Sequence, residues 1–168
     1  MRDVQLSEFN ALPDAAARAV VRVWADVPAW VSAIVAARPF RSVTEASGLA
    51  AAAARDWTMR DLDAALAHHP RIGERVSARS EEADHSRREQ SSMAAASDAL
   101  TARMATANAA YEQRFGRVFL IRAAGRSPEE MLAELERRLA NDPHDEWREA
   151  AAQLAEIAVL RLEQTLEA

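Results

Sequence analysis

Helix breakers are scarce in this chain. Its 168 residues hold only 4 glycines and 6 prolines, against 40 alanines. Alanine is the best helix former, whereas glycine and proline most often end a helix. The predicted fold class is therefore all-α, with residues 1–168 forming a single compact domain of about seven or eight helices. Hydrophobic residues make up 49% and charged residues 28%, a globular balance rather than a disordered one. A chain of this length buries roughly two thirds of its unfolded surface, so it needs no disulfide or metal to hold it.

Composition excludes several chemistries. There is no cysteine, which removes a thiol nucleophile, a cysteine-ligated metal and a disulfide scaffold. All 21 basic residues are arginine, so a Schiff-base lysine, a lysine-anchored pyridoxal phosphate and a Walker A lysine are equally impossible. The formal charge is −5 and the pI about 5.4, which argues against nucleic acid as a partner. The longest apolar stretch, Val20 to Phe40, contains Arg22, Asp26, Pro28 and Arg38 and cannot span a bilayer. The first residues lack a signal-peptide core and the last lack a Ser-Lys-Leu address, so the expected location is the cytoplasm.

Start and stop signals divide the chain. Ser7 can cap a short turn through Asn10. Asp14 opens a helix over Ala15–Trp24, and Pro28 restarts one ending near Ala37. Thr44 with Glu45 begins an alanine-rich helix to about Arg55, and Thr58 caps Met59–His68, stopped by Pro70. Nothing interrupts Glu81–Phe115, so one long helix is predicted there, closed by Gly116. Its stripe runs from Glu89 or Gln90 through Met93, Ser97, Leu100, Met104, Asn108 and Tyr111 to Phe115. Arg117–Ala123 is the best extended segment and is too short for a sheet. Ser127-Pro128-Glu129-Glu130 has the pattern of a helix start, and Asp142-Pro143 opens a last helix, Trp147 to about Leu166.

Polar groups that fall on apolar stripes are the candidates for function, because burying them unsatisfied costs about 1–3 kcal/mol. The run His68-His69-Pro70-Arg71-Ile72-Gly73 sets a histidine on a rigid corner, either as a proton carrier near neutral pH or as a partner for the helix dipole. Ser86, Glu89 and Gln90 share one helix face at the lip of the core stripe, as a ligand site or as a solvated first turn. Arg161 follows Leu154, Ile157 and Ala158 on an inward stripe, where it would need an anionic partner or would snorkel out. A metal site is not expected: His68 and His69 point apart, and His85 and His144 lack ligand-spaced companions. There is no glycine-rich phosphate loop and no serine elbow.

Together these elements form a pattern. His69-Pro70-Arg71-Ile72-Gly73, Ser86-x-x-Glu89-Gln90, Asn108-x-x-Tyr111, Phe115-Gly116-x-x-Phe119 and a late Arg161, preceded by Phe9-Asn10-x-Leu12-Pro13, resemble the OHCU decarboxylase family. Those enzymes convert 2-oxo-4-hydroxy-4-carboxy-5-ureidoimidazoline (OHCU), an unstable product of urate oxidation, to S-allantoin. The resemblance implies an all-α, cofactor-free enzyme, typically a homodimer. It implies that His69 is the acid–base group, with Glu89 beside it either holding its tautomer or accepting from the ureido N–H groups of the substrate. It further implies that Pro70, Ser86, Gln90, Phe119, Leu120, Ile121, Arg122, Ala123 and Arg161 meet the substrate, with no metal. Where the family commonly has Phe-Pro-Phe after the Phe-Gly, this chain has Arg117-Val118-Phe119. The alternative is a non-catalytic all-helical binding or interaction protein whose polar clusters are caps and surface pairs.

Overall fold

The computed structural model describes residues 4–67, 72 and 97–167. Among them are eight α-helices: α1 (Leu6–Ala11), α2 (Asp14–Trp24), α3 (Pro28–Ala36), α4 (Val43–Ala53), α5 (Met59–Leu66), α6 (Asp98–Phe115), α7 (Pro128–Arg138) and α8 (Pro143–Thr165). The class is all-α, as the alanine content and the scarcity of breakers imply. The one sheet among the described residues is a two-residue parallel pair, β1 (Val4–Gln5) against β2 (Leu166–Glu167), which the sequence did not suggest. None of the described helices is long and apolar enough to cross a membrane.

Several boundaries differ from the predicted ones, most of them because a capping side chain lies elsewhere. Helix α1 begins at Leu6 with Gln5 as N-cap, so Ser7 is inside it and caps nothing. Helix α4 is capped by Ser42, whose hydroxyl accepts from the Glu45 N–H at 3.1 Å, and Thr44 lies within the first turn. It stops at Ala53, and Ala54–Asp56 tightens into a 3-10 turn. Ser97 is not a position along a continuous helix. Its backbone is extended and its hydroxyl accepts from the Leu100 N–H at 3.2 Å, which makes it the N-cap of α6. One helix over Glu81–Phe115 is therefore excluded: serine followed by Asp98 is a start signal that outweighs the lack of a breaker. Helix α8 begins at Pro143, a turn ahead of Trp147, because the Asp142 carboxylate accepts from the N–H groups of His144 and Asp145 at 2.8 and 3.0 Å.

The chain divides into two compact units, one of Met1–Ala65 with Leu154–Ala168, the other of Leu66–Gln153. In the first, Leu154, Ile157 and Ala158 are buried as their stripe predicts, and Phe9, Val21, Trp24 and Trp30 are buried with them. The indole N–H of Trp24 donates to the Thr165 hydroxyl at 3.1 Å, and that of Trp30 to the Ala50 carbonyl at 2.9 Å. The Asn10 side chain pairs with both backbone groups of Phe40, at 2.8 and 2.9 Å. Arg38 donates to the carbonyls of Phe9 and Leu12, which ties the end of α1 to the chain after α3.

The second unit is built on α6, α7 and the first part of α8. Leu100, Met104, Ala107 and Tyr111 of α6 meet Met131, Leu132 and Leu135 of α7 in one core, together with Ile72, Phe119, Ile121 and Ala123. Helix α7 starts with a complete capping box. The Ser127 hydroxyl accepts from the Glu130 N–H, and the Glu130 carboxylate accepts from the Ser127 N–H.

Candidate active site

The segment after α6 carries the described part of the candidate site in the second unit. Gly116 closes α6 in the left-handed region, at φ 70°, where a side chain would be strained. The chain then leaves the helix, and β-branched Val118 and Ile121 disfavour resuming it at once. Residues 117–123 form neither helix nor strand, yet Phe119, Leu120, Ile121 and Ala123 are buried and Arg122 is half-buried.

Buried backbone without a sheet partner must find hydrogen bonds elsewhere. Side chains provide them. Arg138 of α7 donates from Nη1 to the Leu120 carbonyl at 2.8 Å, and the Arg122 N–H donates to Oε1 of Gln153, on α8, at 2.9 Å. Arg138 is only 1% exposed, and its fork is paired with Glu146, which is wholly buried, at 2.6 Å and 3.0 Å. Asn141 donates to the other Glu146 oxygen at 2.8 Å, and the Tyr111 hydroxyl donates to the same carboxylate. The Arg138 guanidinium also stands over the Phe119 ring, 4.7 Å from its centroid, and the Tyr111 ring meets Phe119 edge-on. Burial, together with the Glu146 carboxylate that accepts its hydrogen bond, pushes the Tyr111 phenol well above its ordinary pKa. That phenol is a neutral donor, not a base.

Asn108 lies on the core face of α6 and donates to the Ile72 carbonyl at 3.1 Å. It ties α6 to Ile72. Its Oδ1 is buried and has no hydrogen-bond partner among the described residues.

Arg161 lies in the first unit and is 2% exposed, so it does not snorkel. Its Nη1 reaches the carbonyls of Val23 and Trp24, at 3.3 and 3.4 Å, at the negative end of α2. Phe119, Leu120, Ile121, Arg122 and Ala123 stand together in the second unit. His69, Pro70, Ser86, Glu89 and Gln90 lie outside the described residues, as do His68, Arg71, Gly73, His85 and Met93.

Arg138, Glu146 and Gln153 were not among the predicted residues. The signal for two of them was present: Arg138 continues the stripe of Met131 and Leu135, and Glu146 sits four residues before buried Ala150. These are the same grounds that singled out Arg161. The expectation that His144 has no ligand-spaced companions is also corrected. Asp142, His144 and Asp145 bring ligand atoms within 4.8 Å of one another on the exposed start of α8. The Asp142 carboxylate is already engaged as the helix cap, and the two N–H groups it accepts from hold its pKa below the ordinary value.

Comparison with known proteins gives the same picture from end to end. The model of the family described as OHCU decarboxylase matches residues 10–163. The 2-oxo-4-hydroxy-4-carboxy-5-ureidoimidazoline decarboxylase of Haloferax volcanii is 30% identical over 96% of either chain. A crystal structure of OHCU decarboxylase in the presence of (S)-allantoin superposes with a TM-score of 0.72 at 28% identity, covering 85% of this chain and 94% of that one. An (S)-allantoin synthase structure shares the fold, with a TM-score of 0.70 at 17% identity over 97% of this chain and 54% of that one. The helical fold, the motif set and a match over nearly the whole length lead to one conclusion: the chain belongs to the OHCU decarboxylase family.

Proposed function

We propose that this protein decarboxylates OHCU in urate degradation and releases (S)-allantoin. The observation that carries the reading is the match to the Haloferax volcanii decarboxylase over 96% of both chains. The family match spans residues 10–163, parts of both compact units, which supports reading residues 1–168 as one functional domain. The reading includes a homodimer in the cytoplasm, without nucleic-acid or membrane partners and without a cofactor.

The substrate explains why side chains are enough. The carboxylate leaves from a carbon adjacent to a ring C=N bond. When the C–C bond breaks and CO2 departs, the electron pair delocalises over that C=N. The hydroxyl on the same carbon becomes the carbonyl and gives up its proton, while one further proton enters. Protonation of the ureido-bearing carbon on a single face sets the product's hand. The protein must orient the carboxylate, polarise the ring and deliver that proton.

In this reading His69 delivers the proton. Glu89 either fixes the His69 tautomer or accepts from the ureido N–H groups, and Pro70, Ser86 and Gln90 contact the substrate. Phe119, Leu120, Ile121, Arg122 and Ala123 form one wall, held as described above. Arg161 offers a planar fork to a carboxylate or a ring carbonyl. Positioned proton transfer contributes roughly 10²–10⁴-fold.

The test supplies OHCU in situ from urate with urate oxidase and hydroxyisourate hydrolase. His69→Asn should lower kcat by about 10²-fold or more, and His68→Asn should change it little. Folded variants with the opposite ranking would contradict the assignment of His69.

A further inference from the structure

We propose that Gln153 is a positioning residue for the decarboxylation, and that with Arg138 it clamps the backbone of the Phe119–Ala123 wall. The inference rests on the reading of that segment as part of the substrate site. In extended backbone, the C=O of one residue and the N–H two residues later face the same edge. Leu120 O and Arg122 N are spaced in that way along the chain, and each is held by a side chain, Arg138 at 2.8 Å and Gln153 at 2.9 Å. Two side chains from two helices thus replace the neighbouring strand that this segment lacks.

The two clamps differ in what else they do. Arg138 is locked into a buried network with Glu146, Asn141 and Tyr111, so its loss would disturb the whole core. Gln153 is half-buried and neutral, and its acceptor oxygen is given to the wall. Ile121 lies between the two clamped groups, and the pair sets the height and rotation of its backbone. A site wall must be held within about 0.5 Å of its productive position. One hydrogen bond at this point therefore matters far more for turnover than for stability.

The experiment compares wild type, Gln153→Met and Gln153→Glu for OHCU turnover, with far-UV circular dichroism and Tm for each. Methionine keeps the length and helix propensity but loses the acceptor, whereas glutamate keeps an acceptor for the Arg122 N–H. Gln153→Met should lower kcat/KM about tenfold, mainly through KM, while remaining folded, and Gln153→Glu should stay within about threefold of wild type. Gln153→Met with unchanged kcat/KM would overturn the inference, as would equal losses in both variants or a loss explained by unfolding at the assay temperature. A wild type that does not accelerate OHCU decay would overturn the decarboxylase reading and this one with it. An active wild type beside an unimpaired Gln153→Met overturns this inference alone.

Discussion

Arg138 and Glu146 are two full charges with almost no access to water, 1% and 0% exposed. Breaking a buried pair by removing one member strands the other charge, which costs about 3–5 kcal/mol. Glu146→Gln and Arg138→Met should each lower stability by that amount in urea unfolding. Replacing both with apolar residues should recover much of the loss; additive losses would mean that the two side chains are not coupled. The pair was half legible. Each residue falls on an apolar stripe, but each also sits at a helix end whose dipole favours its charge, so a surface role explained both equally well. Arg161 was singled out by its stripe, and its burial fits that signal. Its carbonyl partners could not be foreseen, because Val23 and Trp24 lie far away in sequence. Arg161→Lys keeps the charge and loses the fork. It should raise KM for OHCU, and Arg161→Ala should reduce the Tm shift produced by (S)-allantoin; a shift in Arg161→Ala equal to that of wild type would show that Arg161 does not touch the ligand.

At the scale of the element, caps decide the boundaries and also their response to acid. Thr58 and Asp61 form a reciprocal box at the start of α5: the Asp61 carboxylate accepts from the Thr58 N–H at 2.8 Å, and the Thr58 hydroxyl accepts from the Asp61 N–H at 3.2 Å. Hydrogen bonds from the Thr58 side chain and backbone hold the Asp61 pKa below its ordinary value. A carboxyl depressed in the folded state contributes stability above its unfolded pKa, near ~3.9, and loses it as pH falls through the folded value. Asp61→Ala should therefore lower Tm at pH 7, with the difference closing as pH falls through and below the ordinary carboxylate range. A difference that persists at low pH would assign the effect to packing instead. The boxes at Thr58 and Ser127 were readable because the capping residue and the acid stand three apart with no competitor. At Ser42 the sequence offers Thr44 as a rival. The choice is made by Glu45, which reaches back to accept from the Arg41 N–H at 2.7 Å. That a break follows α6 was legible, and residues 117–123 form neither helix nor strand. What holds that segment was not, since its partners are side chains on helices that come later in the chain.

For the molecule as a whole, the helical class followed from alanine content and few breakers, and the family followed from motifs that are each short. His-Pro or Ser-x-x-Glu-Gln alone is common; both in one all-helical chain, with Asn108-x-x-Tyr111 and a late arginine, are not. The structure adds a physical reason for the Asn108–Tyr111 pair. One side chain ties α6 to Ile72, close in sequence to His69, and the other donates into the network that holds the Phe119–Ala123 segment. Decarboxylation with delivery of a proton to a single face is the central claim, and the hand of the product tests it most directly. With OHCU generated in situ, circular dichroism should show an (S)-allantoin signal that grows at a rate proportional to the concentration of this protein. Racemic allantoin, formed at the spontaneous rate whatever the amount of protein added, would contradict it.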